Sequence, residues 1–207
     1  MKQLFSFILL FMGVLGYATP SVGTQVRVTE DFNANWKFSL GDCPDRREIQ
    51  YDDSRWRKLN LPHDWSIEGD YTPDFPAGKN NGFFPEGLGW YRKTFTVPKE
   101  DANKQFVIQF DGVFMNSEVW INGRYLGRRP YGYSTFRYDL TDKLKFGGEN
   151  VIAVRVDNSN PGADRWYHGS GIYRNVHLIK TNYVHFRHNG GIHITTPVAE
   201  KHSATIK

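Results

Sequence analysis

The chain has 207 residues, a formal net charge of +4 and one cysteine, Cys43, so it has room for one domain and part of another and cannot form an internal disulfide. Its basic residues are scattered, the longest runs being pairs such as Arg46-Arg47 and Arg128-Arg129, which argues for a solvated surface and against a nucleic-acid partner. Aromatic residues make up 15% of the chain, a share that favours sheet cores and also supplies faces on which the C–H side of a sugar packs.

In chain order, the first predicted element is a leader. Lys2 precedes an uncharged apolar run from Leu4 to Tyr17, too short for the roughly 20 residues that cross a bilayer. A charged start, a short apolar middle and the small residues Gly16 and Ala18 describe a secretory signal peptide over residues 1–18. The mature chain is then expected in the periplasm or outside the cell, with no membrane contact after cleavage. Residues 35–40 alternate polar and apolar and predict a half-buried strand. Asp52-Asp53-Ser54 before Trp56 reads as the cap of a short helical piece, and a second such piece is expected over 140–144. Further strands are predicted where Tyr91, Phe95 and Val97 share a face, where Phe106, Ile108 and Phe110 do, over 151–156 and over 172–179. Asn122-Gly123, between Ile121 and Arg124, predicts a two-residue hairpin turn.

Two long loops interrupt the strands, residues 66–89 and 158–171, and Phe83, Phe84, Trp90, Trp166 and Tyr167 in or beside them suggest a binding rim. Many short strands with Gly, Pro and Asn between them indicate an all-β sandwich or barrel. After Lys180 the pattern restarts. Residues 184–186 and 192–194 flank Asn189-Gly190-Gly191 like a hairpin, and 203–207 read as a strand cut in mid-run. The expected division is a sandwich over 26–180 and the opening of a second domain over 181–207.

Seven segments in order carry a resemblance to a known family. They are Leu61-Pro62-His63-Asp64-Trp65, Gly89-Trp90-Tyr91-Arg92-Lys93-Thr94-Phe95, Phe110-Asp111-Gly112-Val113, Val119-Trp120-Ile121-Asn122-Gly123 with Leu126-Gly127, Gly132-Tyr133 through Thr141, Asn150 through Asn158, and Arg165 through Arg174. The chain resembles the N-terminal sugar-binding domain of glycoside hydrolase family 2, in a form closest to β-galactosidases. The resemblance implies a galactose-binding-domain-like jelly-roll sandwich, then an immunoglobulin-like sandwich, then a (β/α)8 barrel of about 250 residues for which this chain has no room. It implies a β-galactoside or related glycan as ligand, and the two further domains as partners within one enzyme.

A retaining glycosidase needs two carboxyl groups about 5–5.5 Å apart. The resemblance puts both on the barrel, the acid/base Glu following an Asn, and no Asn-Glu dipeptide occurs here. No catalytic residue is therefore expected in this chain. The resemblance assigns a galactosyl contact to Asp164, offers Trp166 and Tyr167 as sugar platforms or as wedges against the barrel, and leaves Glu86, in Pro85-Glu86-Gly87-Leu88, as the substitute for an Asn of the earlier loop. Arg174 is expected to anchor an ion pair, and His168 to lie ordinarily on the surface. Seven histidines without ligand spacing predict neither a metal nor a cofactor. A stand-alone carbohydrate-binding module or lectin, and a purely structural sandwich, remain open alternatives.

Overall fold

The computed structural model describes residues 27–75, 78–159, 167–186 and 191–207. The expected signal segment, Asp164, Trp166 and Asn189-Gly190 lie outside them. The strands in chain order are β1 (Arg27–Asp31), β2 (Trp36–Leu40), β3 (Arg57–Leu59), β4 (Gly87–Thr96), β5 (Lys104–Phe110), β6 (Ser117–Ile121), β7 (Arg124–Arg129), β8 (Phe136–Asp139), β9 (Glu149–Asn158), β10 (Val176–Asn182), β11 (Val198–Ala199) and β12 (Ala204–Thr205).

Two antiparallel sheets form a sandwich, a six-stranded one in the order β3-β2-β4-β9-β6-β7 and a four-stranded one in the order β1-β10-β5-β8. The spine is the β4–β9 pair, matched residue for residue from Gly87 opposite Asn158 to Thr96 opposite Glu149. Period-two patterning explains the layering. Phe106, Ile108 and Phe110 of β5 point inward, as do Ile152, Val154 and Val156 of β9, and they meet Trp36, Tyr91, Ile121 and Val176 in one core. Burial of each such side chain stabilises by about 1.5–3 kcal/mol. The Asn122-Gly123 turn forms as predicted, with φ of 51° and 76° and Ile121 paired to Arg124.

The six-stranded sheet is also buried on its outer side. Trp90 and Trp120 stack there at 5.3 Å over Ala153, beside Trp56 and Leu88. Arg92, only 1% exposed, holds the preceding segment onto this face. Its guanidinium donates to Asp53 Oδ2 at 2.8 Å and to the carbonyls of Arg46 and Glu48 at 2.5 and 2.9 Å. This corrects the expected helix cap: residues 52–56 form a turn, Asp52 accepts from its own Ser54 N–H, and Asp53 serves Arg92 and Lys37. Burial alone would raise the Asp53 carboxyl, but the bonds from Lys37 and Arg92 outweigh it and leave the group lowered. The second helical piece is a single 3-10 turn, Thr141–Lys143.

Two strand expectations also change. The strand predicted over 172–179 starts only at Val176, because residues 172–175 cross the end of the sandwich, where the Ile172 carbonyl accepts from His63 N and the Asn175 carbonyl from Asp111 N. Residues 184–186 and 192–194 are not strands. Beyond β10, the described residues form the short β11–β12 ladder, with Thr195 and Lys207 exchanging backbone hydrogen bonds beside it, and Val184, Ile194 and Ile206 are exposed. Alternation alone does not hold a strand without a face to bury and an edge to pair.

Candidate functional site

At one end of the sandwich the two long loops are tied together through Asp64. This residue caps the 3-10 turn Trp65–Glu68 by accepting from Ser66 N at 3.0 Å. The same carboxylate oxygen accepts from Ser170 N at 2.8 Å, and the other takes the Tyr167 hydroxyl. Around it, Ser66 Oγ bonds Ser170 Oγ at 2.7 Å and the Pro85 carbonyl at 2.6 Å. Asn158, at the end of β9, donates to Ser170 Oγ at 2.7 Å and to the Gly169 carbonyl at 3.2 Å. Residues from three of the motifs, with Ser66 and Pro85 beside them, thus share one partly buried polar knot, in which each group constrains the others.

Gly171 makes the approach possible. Its φ is +127°, and a Cβ there would come within 2.7 Å of the His63 carbonyl oxygen. His63 lies beneath, 7% exposed, with Nδ1 2.7 Å from the Tyr91 hydroxyl and Nε2 2.8 Å from Arg57 Nη2. The same Nε2 also lies 3.2 Å from Glu68 Oε2, so the ring sits between a guanidinium and a carboxylate. Burial pushes the His63 pKa down, against the pull of nearby Glu68, and keeps the ring neutral.

Above the knot stands an aromatic edge. Tyr167 packs on Phe84 at 4.4 Å, and Phe84 on Tyr71 at 4.6 Å. Burial, and then the Asp64 carboxylate, raise the Tyr167 hydroxyl well above its ordinary range, so it is a committed donor to Asp64. Tyr167 keeps 36% of its surface exposed. Glu86 is half-buried at the mouth of β4, one residue beyond the Pro85 carbonyl that Ser66 holds. The structure therefore brings Tyr167 and the loop carrying Glu86 to one end of the sandwich.

His168 has more than an ordinary surface place. Its ring lies parallel to Phe114 at 5.0 Å, and its Nδ1 is 2.5 Å from the Tyr133 hydroxyl. Arg174 makes no ion pair among the described residues, contrary to expectation, and lies over the Tyr173 ring at 5.3 Å. Asp64, the centre of the knot, was legible only as part of a motif. Its role depends on Ser170, 106 residues away, which no local pattern reveals.

This arrangement of motifs is matched by a family model. The "Glycosyl hydrolases family 2, sugar binding domain" model covers residues 29–182. The chain belongs to glycosyl hydrolase family 2. It is 52% identical over 192 residues to a β-galactosidase of Bacteroides ovatus, covering 93% of this chain and 22% of that protein. Among solved structures it is similar to a β-glycosidase from Bacteroides vulgatus, with a TM-score of 0.79 and 50% identity over 86% of this chain and 23% of the other. It is also similar to a Bacteroides uniformis β-glucuronidase, with a TM-score of 0.71 and 31% identity over 87% of this chain and 21% of the other. The chain thus spans about a fifth of the length of these family 2 relatives, and it corresponds to their N-terminal sugar-binding domain. Among the described residues no group of His, Cys, Asp or Glu is placed to hold a metal, and no helix is long and apolar enough to cross a membrane.

Proposed function

We propose that this domain works as the front piece of an exported, retaining β-galactosidase-like hydrolase, in which its loop end shapes the sugar pocket of a catalytic barrel. The observation that carries this reading is the Asp64 knot, which fixes the base of the loop bearing Tyr167 against the loop bearing Phe84 and Glu86. An aromatic edge on a rigid base can serve as a sugar platform or as a wedge against another domain. The names of the relatives support a β-galactoside or β-glucuronide as the substrate class. Asp164 and Trp166 belong to the same loop in sequence and are proposed as its sugar-contacting members, with Tyr167 and Glu86 beside them. In this reading a barrel supplies both catalytic carboxyls and the chain itself supplies none. Export to the periplasm or beyond follows from the leader at residues 1–18.

The experiment is turnover of a chromogenic β-galactoside by the purified chain, free of host enzyme, together with galactose binding. No turnover and weak binding are expected, since a few loop residues do not offset the immobilisation of a well-hydrated ligand. Turnover would overturn the assignment of the chemistry to another domain. Tight galactose binding would favour the stand-alone lectin.

A further inference from the structure

Two stretches within the sequence motifs lie outside the knot, Asp111-Gly112 and Tyr173-Arg174, and the fold brings them together. They line an open groove with Pro62, Thr135 and Asn175. Gly112 is what lets them meet. A Cβ there would lie 2.9 Å from Arg174 Cδ and 2.9 Å from Tyr173 Cζ, so only a glycine leaves room for both side chains to lie against this backbone. Tyr173 is fixed in turn by its hydroxyl, which donates to the Gly132 carbonyl at 3.0 Å, and Arg174 rests over its ring.

The groove therefore holds a guanidinium and a carboxylate that do not neutralise one another. Asp111 Oδ1 accepts from Gln109 Nε2 at 2.6 Å, and Oδ2 lies 3.1 Å from His177 Nε2. Each carboxylate oxygen still has a lone pair to offer. Arg174 has five donors and no carboxylate partner among the described residues. The Asn175 carboxamide oxygen accepts from Asn33, which leaves its N–H2 group for the groove. Thr135 adds a hydroxyl that both donates and accepts.

This set offers donors and acceptors side by side, which is what a pair of neighbouring sugar hydroxyls requires. An anion would use Arg174 but would face the Asp111 carboxylate, whereas a neutral hydroxyl can accept from Arg174 while its neighbour donates to Asp111. We infer that the groove between Asp111 and Arg174 is a binding subsite for a neutral pyranose of a glycan, held through vicinal hydroxyls. The inference does not depend on the role given to Tyr167, and it is read at different residues.

The test is a titration of the isotope-labelled 207-residue chain with methyl β-galactopyranoside, followed by NMR. The Arg174 side-chain N–H and the backbone amides of Thr135 and Asn175 should shift together and saturate in the millimolar range. Arg174 is exposed, so Arg174→Gln should leave the spectrum otherwise folded and weaken binding by about tenfold, the loss of one hydrogen bond to a charged group. Thr135→Val should weaken it several-fold. The absence of saturable shifts at these residues would overturn the proposal, as would unchanged affinity in Arg174→Gln. Inorganic phosphate shifting Arg174 at lower concentration than the sugar would overturn it too, by making the groove an anion site.

Discussion

Removal of the Asp64 carboxylate should loosen the loop end, and the structure sets the size of the effect. Asp64→Ala loses three acceptor contacts, to Ser66 N, Ser170 N and the Tyr167 hydroxyl. A hydrogen bond to a charged group contributes about 1.5–3 kcal/mol, but this carboxylate is only half-buried, and water can replace part of what is lost. A total of about 2–3 kcal/mol is therefore expected, which in a chain of this size lowers the melting temperature by roughly 4–12 °C. Asp64→Asn should behave differently. Its carbonyl oxygen can keep both backbone donors, while its amide turns toward the Tyr167 oxygen, so the loss should be about 1 kcal/mol. Tyr167→Phe removes one contact and should lose no more than that. Thermal melting ranks the three variants, and hydrogen exchange at the Ser170 amide shows whether the damage is local. Equal losses for Asp64→Ala and Asp64→Asn, or an unchanged Ser170 exchange rate in Asp64→Ala, would refute the idea that this carboxylate ties the two loops.

Gly171→Ala should cost more than about 3 kcal/mol, because a positive-φ strain of about 1–3 kcal/mol adds to the clash with His63, and urea unfolding will measure it. Asp53→Asn should cost about 3 kcal/mol by leaving the buried Arg92 guanidinium without its counter-charge, the low end for a broken buried pair because the carbonyls of Arg46 and Glu48 remain. His63 has a folded pKa below its unfolded value, so the unfolded chain binds the extra proton first on acidification. Its contribution to stability is complete above about pH 6.5 and is lost as pH falls below that, ahead of the carboxylates. Urea midpoints measured from about pH 8 to about pH 5 should fall in the wild type and fall less in His63→Asn.

The sandwich was readable in the sequence because its strands obey a local rule. Phe106, Ile108 and Phe110 alternate, and Asn122-Gly123 supplies the positive φ angles its turn needs. The Asp53 pairing and the Asp64 knot were not readable, because each is made by partners far apart in the chain, Arg92 in one case and Ser170 in the other. Local propensity misread residues 52–56 for the same reason: a distant buried guanidinium recruits the acid that would otherwise cap a helix. Beyond β10, alternation in residues 184–186 and 192–194 suggested strands, yet no sheet edge among the described residues takes them up.

The strand order also decides how the domain carries load. β1 is the outermost strand of the four-stranded sheet and pairs within it only with β10, with Arg27 opposite Thr181. The chain thus enters and leaves the sandwich at the same end of one antiparallel ladder. Tension applied between those two points would open the ladder one bond at a time, like a zipper, and would not shear its bonds all at once. β10 is held on its other side by β5, from Val176 to Asn182, so the exit stays seated when the entry strand peels.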